Sequence, residues 1–563
     1  MTAPRRAPAP TVDHDDAQGI TLTADVLVVG GGPAATWAAI AATEHGARTV
    51  LVDKGWCGTS GVAAAAGVAH WLLPPDAARR DAEIAVREAR GGHLTDRRWI
   101  EAVLDEAWSR TALVDGWGYR PRGATRDTDR SRGDDRTLAG TAPDYLRFLR
   151  GRTRRGGARI LDHSPALELL RDDDGRVRGA QGVQPRAGRP WTVHAGAVVL
   201  ATGGTTWRSH ALGGDVDTGE GHLMAAEVGA HLSSMEMSSF YGMVPLGTSM
   251  DKNGFMVAAS YRDHEGRPLH YRDLHATRIE LLRASERGTI TARLDQVPPE
   301  RRADARAAMP NFFMVTDKLG IDPFTEHFPI DWVTEGTVRG TGGLHLAGLD
   351  ASTGVPGLYA AGDVAARDRL VGAATGAGGP NLSWAVATGT WAGRTAADEA
   401  RSLPPYRGTP RPAGGLGLRG TAPGPTTPTP RAVLDAVQSE THPPARSVLK
   451  DAAILRDGDA RLRALASAPG VLVPADGPRS ASALRTREVA GMLQTARWVL
   501  AAAAARTETR GMHHRLDHPE EDPAQARRLL VGGLGDPWVA TDPETPRTGP
   551  DHAPSRAALA ALA

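Results

Sequence analysis

The sequence predicts an α/β protein with a parallel sheet, one domain inserted into the sheet domain, and a helical domain near the C-terminus. Two observations predict the sheet: short, β-branched apolar runs recur along the chain, and three of the four lead into glycine. Buried parallel strands carry such continuous apolar runs, because helices cover both faces of the sheet. A third observation predicts the helical domain, since helical spacing of apolar residues begins only after a stretch rich in Pro, Gly and Thr.

The first two predicted strands flank a helix. An apolar run at 24–29 ends at three glycines, and an alanine-rich stretch then leads to Gly46 and to a second run at 47–53. Gly46 is expected to end the helix, because glycine is common just after a helix C-terminus. Further strands are predicted at 197–201 and 357–361. The strand–helix–strand order predicts a Rossmann-like unit.

A dinucleotide site is predicted between the first strand and its helix. Gly30, Gly32 and Ala35 fit the G-x-G-x-x-G/A spacing, and Asp53 closes the second strand. The first glycine allows a tight turn, the second lets backbone N–H groups approach a pyrophosphate, and the small third residue lets helix pack on strand. The helix N-terminus attracts the phosphates, and the acid accepts hydrogen bonds from a ribose.

The segment that follows indicates FAD rather than NAD. Residues 58–68 are small and uncharged, so their main chain can lie against a flat aromatic ring system. Two later strand ends, at 202–204 and 362–363, offer further close backbone approaches and a carboxylate for a polyol. We therefore expect an elongated cofactor that crosses the whole sheet.

The chain divides into several segments by composition. Residues between the third and fourth predicted strands are more polar, which predicts an inserted capping domain. The expected segments are a disordered arm at 1–20, an FAD-binding domain at 21–244 and 341–402, the capping domain at 245–340, a linker at 403–430, a helical C-terminal domain at 431–540, and a tail at 541–563.

Composition excludes several classes of protein. The 563 residues carry 66 Lys+Arg against 65 Asp+Glu, a balance that argues against nucleic-acid binding. Cys57 is the single cysteine, so the chain alone cannot form an internal disulfide or hold an iron–sulfur cluster. No run is long enough for a membrane span. Arg5 and Arg6 lack the apolar stretch of an export signal, so we expect a cytoplasmic protein.

Six motifs in order resemble one known superfamily. They lie at 28–32, 60–64, 201–204, 217–225, 355–363 and 510–517. The chain is similar to the flavoprotein subunits of succinate dehydrogenase and fumarate reductase, to L-aspartate oxidase, and to the adenylylsulfate reductase flavoprotein. The resemblance implies an α/β fold with a Rossmann-like FAD-binding domain, an inserted capping domain and a helical C-terminal domain.

The resemblance and the glycine motif together give the expected cofactor residues. Asp363 is expected near the ribityl chain, and Asn381, Leu382 and Ser383 near the flavin ring or ribityl chain. Ser60 stands where the respiratory enzymes carry a flavin-linking histidine, so FAD should be non-covalent. The full expected set is Gly30, Gly32, Pro33, Ala34, Ala35, Asp53, Lys54, Thr59, Ser60, Gly61, Ala65, Gly67, Thr202, Gly203, Asp217, Asp363, Asn381, Leu382 and Ser383.

Most of the family's dicarboxylate-binding groups are replaced here. Two histidines and two arginines of the family have no counterpart at their aligned positions, which argues against succinate or fumarate as the substrate. The expected catalytic candidates are instead Tyr241, Lys252, Arg339, His513 and Arg515. Each has a structural alternative: an aromatic core position, a solvated turn, burial before a strand, or a contact between domains.

The leading functional prediction is an FAD-dependent oxidoreductase that acts on a small molecule. An iron–sulfur (ferredoxin-like) subunit could carry its electrons, and it would have to be another polypeptide. One alternative is an oxygen-using flavin oxidase or monooxygenase, and another is a non-enzymatic flavin-binding partner. No metal site is predicted, because His514 and His518 have no evident third ligand and Pro519 follows at once.

Overall fold

The computed structural model describes residues 6–119, 140–252, 254–270, 276–376, 379–404 and 406–544. Its strands are β1 (Thr11–Asp16), β2 (Gly19–Val29), β3 (Thr49–Val52), β4 (Gly67–Val68), β5 (Gly140–Thr141), β6 (Arg159–Leu161), β7 (Ala166–Arg171), β8 (Val177–Gln184), β9 (Arg189–Leu200), β10 (Leu232–Ser233), β11 (Tyr241–Pro245), β12 (Ser260–Arg262), β13 (Pro268–Leu269), β14 (Thr291–Arg293), β15 (Phe328–Thr334), β16 (Gly343–Leu344), β17 (Leu358–Ala360), β18 (Arg411–Pro412), β19 (Leu529–Gly532) and β20 (Trp538–Thr541). Its helices are α1 (Pro33–Glu44), α2 (Ala77–Arg90), α3 (Arg97–Gly116), α4 (Ala142–Gly156), α5 (Glu220–Glu227), α6 (Ala276–Ser285), α7 (Arg302–Ala308), α8 (Pro310–Lys318), α9 (Gly336–Arg339), α10 (Asp368–Val371), α11 (Gly379–Ser402), α12 (Pro430–Thr441), α13 (Pro444–Ser447), α14 (Ala452–Ala466) and α15 (Ala481–Ala505).

The main sheet confirms the predicted α/β class. Its strand order is β18-β7-β8-β9-β2-β3-β6, with β1 added to β2 and β17 added to β9. The four predicted apolar runs are β2, β3, β9 and β17, and each pairs in parallel with its neighbours among them. Their carboxyl ends therefore meet at one edge of the sheet, which is where open α/β sheets bind their ligands.

Two helices with small residues cover one face of this sheet beside its carboxyl edge. α1 is rich in alanine, and α11 crosses it at close range. A Cβ atom added at Gly393 would overlap the backbone of Ala38, and one at Gly389 would lie 2.5 Å from the carbonyl oxygen of Ala34. The absence of side chains at these two positions lets α11 pack directly on α1, which fixes the start of α1 against the sheet.

The inserted capping domain has its own sheet and core. The strand order is β11-β15-β14-β12-β13, and the pairs between neighbouring strands are antiparallel. Phe312, Phe313, Phe324 and Phe328 are buried in its hydrophobic core. The sheet begins with β11 at Tyr241 rather than at residue 245, because the backbone of β11 pairs with β15 along its whole length.

The structure differs in part from three of the expected segments: the N-terminal arm, the linker and the helical domain. In the expected N-terminal arm, β1 pairs antiparallel with β2, and Asp15 forms ion pairs with Arg159 and Arg189. In the expected linker, β18 pairs with the edge strand β7, and Leu418 is buried. The expected helical domain contains α12 to α15 but ends in β19 and β20, which join a sheet with β10 and β16.

The expected tail at 541–563 lies mostly outside the described residues. Its first part is packed, since Asp542 forms a 2.9 Å ion pair with the buried Arg528. Within the described part of the chain, no helix is both long enough and apolar enough to cross a membrane.

Candidate active site

A large cleft lies at the carboxyl edge of the parallel strands. Its walls come from the ends of β2, β3, β9 and β17, from the start of α1 and α11, and from the capping domain. Its empty volume is about 1530 Å³, part of which is open to solvent. The cleft therefore joins the predicted dinucleotide loop to the capping domain.

The glycine loop at the end of β2 has the shape that a dinucleotide requires. Gly30 has a φ of +128°, and a Cβ there would overlap the carbonyl group of Ala201. At Gly32 an added Cβ would meet no atom within 4 Å, so this position faces open space. Gly32 is also the N-cap of α1 and provides no side-chain cap, which leaves the first N–H groups of that helix available to an anion.

Asp53 lies beneath the glycine loop and has a partner of its own. The Ser60 hydroxyl donates a 2.7 Å hydrogen bond to Asp53 Oδ2. Burial raises the pKa of Asp53 above its usual range, although this hydrogen bond opposes the shift. The Asp53 carboxyl still lines the cleft, so it remains available to a ribose hydroxyl. The Ser60 hydroxyl is therefore directed at Asp53.

Lys54 is held in a cluster of buried charges. Its Nζ lies 2.7 Å from Glu220 and 2.6 Å from Glu488, and it donates a 2.8 Å hydrogen bond to the Thr218 hydroxyl. Glu488 is on α15, so this cluster joins the sheet domain to the helical domain. The charge of Lys54 is therefore already compensated.

Asp217 and Asp363 face the cleft from two different loops. Burial raises the pKa of Asp217 well above its usual range, and the nearby Asp363 adds to the shift. Asp217 Oδ2 is buried and has no hydrogen-bond partner among the described residues. Asp363 pairs with the buried Arg367, while burial raises its pKa. An unpartnered carboxyl oxygen at a cleft this size is what a bound polyol or ring would satisfy.

The capping domain adds a second cluster of charges to the cleft. Lys252 Nζ contacts Asp251 and lies 2.8 Å from Glu335 Oε2. Arg339 Nη1 is 4.0 Å from the same Glu335 oxygen, and its guanidinium lies over the Phe240 ring at 4.7 Å. Arg339 Nε is buried without a hydrogen-bond partner among the described residues. Arg339 therefore has donors that are free for a ligand.

Most residues expected to bind the cofactor line this cleft. They are Gly30, Gly32, Pro33, Ala34, Asp53, Lys54, Ser60, Gly61, Gly67, Thr202, Gly203, Asp217, Asp363, Asn381 and Leu382. Their convergence from six separate stretches of sequence agrees with a single elongated ligand. Contact of each residue with that ligand stays a prediction.

Four expected cofactor residues do not line the cleft. Ala35 is buried in the packing of α1, and Ala65 lies behind its lining neighbours in a short 3₁₀ turn. The exposed Thr59 donates to the Trp56 carbonyl at 3.2 Å. The Ser383 hydroxyl accepts from the Trp71 N–H at 2.9 Å and donates to its carbonyl at 3.0 Å. Packing or local hydrogen bonds thus occupy these side chains.

Three expected catalytic residues also lie outside the cleft lining. The buried Tyr241 hydroxyl contacts the carbonyl oxygens of Thr441 and His442, at 2.7 and 2.9 Å. His513 Nε2 lies 3.1 Å from the Arg506 carbonyl oxygen, and Arg515 pairs with Asp517. These contacts engage the three side chains within the fold, and a catalytic role for any of them stays a prediction. Lys252 and Arg339 are the expected candidates that the structure brings to the cleft.

The sequence did not single out Glu335, Asp251 or Arg367 as site residues. Glu335 follows β15 and precedes α9, and it is 83 positions from Lys252, which it contacts. One sequence pattern could have indicated Glu335: it stands four residues before Arg339, and i,i+4 spacing brings two charges together on a helical turn.

Comparisons with known proteins agree with this geometry. A family model described as FAD binding domain matches residues 25–266, and one described as fumarate reductase flavoprotein C-term matches residues 446–531. L-aspartate oxidase of Streptomyces coelicolor is 30% identical, with 92% of this chain and 93% of that protein covered. The fumarate reductase flavoprotein subunit of Mycobacterium tuberculosis is 26% identical, with 89% and 93% covered.

A solved structure of Mycobacterium smegmatis Sdh1 has a similar fold, with a TM-score of 0.75 at 21% identity and with 96% and 98% of the two chains covered. The open glycine loop, the uncapped start of α1 and the unpartnered Asp217 carboxyl fit FAD as the cofactor. The chain therefore belongs to the family of FAD-dependent oxidoreductases that contains L-aspartate oxidase and the flavoprotein subunits of fumarate reductase and succinate dehydrogenase.

Proposed function

We propose that the enzyme transfers a hydride between a small molecule and non-covalent FAD, and that this molecule is neither succinate nor fumarate. The observation that carries the proposal is one continuous cleft that is lined both by the glycine loop and by Arg339 and Lys252 of the capping domain. A substrate placed under the cap is then next to both the cofactor and free guanidinium donors.

The chain's own residues bind the substrate and handle its proton. When bound, FAD would supply the redox chemistry by accepting or donating a hydride, and the proton that the substrate loses or gains would be left for the protein to handle. Arg339 binds and orients an anionic group of the substrate, since its donors are free. Asp251 contacts Lys252 Nζ, and burial together with Glu335 raises the pKa of Asp251 to about 7. It can therefore hold or release a proton near neutral pH.

Succinate is expected to leave the flavin oxidised. Each of the two carboxylates needs a cationic partner in a buried site, and Lys252 already pairs with Asp251 and Glu335. Anaerobic titration of the FAD-loaded protein with succinate should cause no loss of flavin absorbance, whereas dithionite should bleach it fully. Prompt bleaching of the flavin by succinate would contradict the proposal that succinate is not a substrate.

Acid precipitation is expected to release all of the flavin into the supernatant. Ser60 cannot form the histidyl bond that its family counterpart forms, and its hydroxyl is hydrogen-bonded to Asp53. The measurement is flavin absorbance in the supernatant and in the washed pellet after acid treatment. Yellow colour that stays with the pellet would show a covalent bond at another residue.

An oxygen-using oxidase is the second candidate, because the 30% identical relative that matches almost the whole chain is an L-aspartate oxidase. Mixing the dithionite-reduced enzyme with oxygen separates the two candidates. Reoxidation within seconds with peroxide formation favours the oxidase, and anaerobic bleaching by L-aspartate would assign that substrate. Slow reoxidation by oxygen favours an electron carrier, and then a separate iron–sulfur protein should reoxidise the flavin faster.

A further inference from the structure

The three cationic side chains that line the described part of the cleft differ in what they can offer a ligand. Lys54 is compensated by Glu220 and Glu488, at the cofactor side of the cleft. Lys252 is shared between Asp251 and Glu335. Arg339 differs from both, because its nearest carboxylate oxygen among the described residues is 4.0 Å away, beyond hydrogen-bond distance. The free donors of the substrate end thus belong to one side chain.

The four charged groups of the capping-domain cluster nearly cancel one another. Lys252 and Arg339 contribute two positive charges, and Glu335 removes one of them from a position that is 1% exposed. Asp251 is the fourth member, and burial raises its pKa to about 7, so below that pH it is neutral. The surplus is then a single positive charge. Asp363 and Arg367 compensate each other and do not change this result.

We propose that Glu335 selects the substrate by charge and restricts the site to molecules with at most one net negative charge. This inference rests on the proposed function, since it assumes that the substrate binds under the cap beside Arg339. A monoanion matches the single surplus charge. A dianion would place its second negative charge near the buried Glu335 carboxylate without a cation to balance it, and repulsion between like charges in a buried site weakens binding.

The position of Glu335 explains why it acts on ligand charge and not only on the fold. Its Oε2 atom lies between the Lys252 ammonium and the Arg339 guanidinium, and the residue lines the cleft. Replacing its carboxylate with an amide keeps a hydrogen-bond acceptor for Lys252 and removes one negative charge. Glu335 also helps to raise the pKa of the Asp251 carboxyl, so a change at Glu335 alone would let Asp251 ionise and would restore a negative charge. The double variant Asp251→Asn/Glu335→Gln should therefore gain a second surplus positive charge with little change in shape.

The test compares propionate with succinate, which differ by one carboxylate. Each is titrated into the FAD holoenzyme at pH 6, and the dissociation constant is read from the change in the flavin absorption spectrum. The wild-type protein should bind propionate at least tenfold more tightly than succinate. Asp251→Asn/Glu335→Gln should bind succinate at least tenfold more tightly than Asp251→Asn does, while propionate affinity changes less. Arg339→Gln should weaken both probes at least tenfold.

Glu440→Gln is the matched control, because Glu440 is a buried, ion-paired glutamate of the helical domain that does not line the cleft. It should bind both probes as the wild type does. Equal or tighter binding of succinate than of propionate by the wild type, or no gain in Asp251→Asn/Glu335→Gln over Asp251→Asn, would overturn the charge selection. A spectrum that responds to neither probe would also overturn it. Flavin loading and bleaching by dithionite are measured in the same samples. They test the proposed function separately, because they do not depend on the charge of the probe.

Discussion

Gly32→Glu is expected to abolish FAD binding while leaving the fold intact. An added Cβ at Gly32 meets no atom within 4 Å, so the new side chain enters the cleft and not the core. There it occupies the space before the N-terminus of α1 and places a negative charge where the pyrophosphate must lie. Purified variant should be colourless, and FAD affinity should fall by a factor of at least 100.

The measurement is flavin content after purification, followed by titration of the apoprotein with FAD by fluorescence. Gly116→Glu is a matched control, because Gly116 is exposed at the end of α3, has open space around its Cβ position and does not line the cleft. This control should bind FAD normally. Normal retention of FAD by Gly32→Glu would place the cofactor elsewhere and would remove the basis of the whole site assignment.

The dinucleotide site could be predicted because its information is local. Gly30, Gly32 and Asp53 lie within one strand–helix–strand unit, so their spacing in the sequence is enough to predict their relative positions in space. The same local patterns predicted β2, β3, β9 and β17. In contrast, β1 carries only exposed side chains and lies at the outside of β2, so it has no apolar alternation to detect.

The substrate end could be predicted less well because it depends on distant contacts. Tyr241 took the place of a family histidine, but its hydroxyl contacts a carbonyl 200 positions away, and no sequence pattern reports this. Lys252 and Arg339 were found through the resemblance, whereas the glutamate between them was not. Alignment shows which residue types have been exchanged, but the balance of charges in a cluster requires the folded arrangement.

A cluster of buried charges holds the helical domain against the sheet domain. Arg506 is 1% exposed, and its guanidinium contacts Glu236 at 2.9 Å and Glu508 at 2.7 Å. Glu236 comes from the turn before β11, while Arg506 follows α15. Glu508 also pairs with Arg510, but Arg506 is the cation that forms an ion pair with Glu236 among the described residues.

Arg506→Met is therefore expected to destabilise the protein by about 3–5 kcal/mol, because it leaves the fully buried Glu236 without its cation. Burial already raises the pKa of Glu236, and Arg506 opposes that shift. In the variant the pKa rises further above its unfolded value, so the loss of stability is largest above the folded pKa. The loss shrinks as the pH falls and Glu236 takes up a proton.

The measurement is the midpoint of the urea unfolding transition at pH 5 and at pH 8. Arg431→Met is the matched control, since Arg431 forms an exposed i,i+4 pair with Asp435 on α12, and such pairs contribute about 0–1 kcal/mol. Adding Glu236→Gln to Arg506→Met should restore part of the stability at pH 8, because it removes the unpaired charge. If the single Arg506 variant unfolded with the wild-type midpoint at both pH values, the buried charges would not be what joins these two domains.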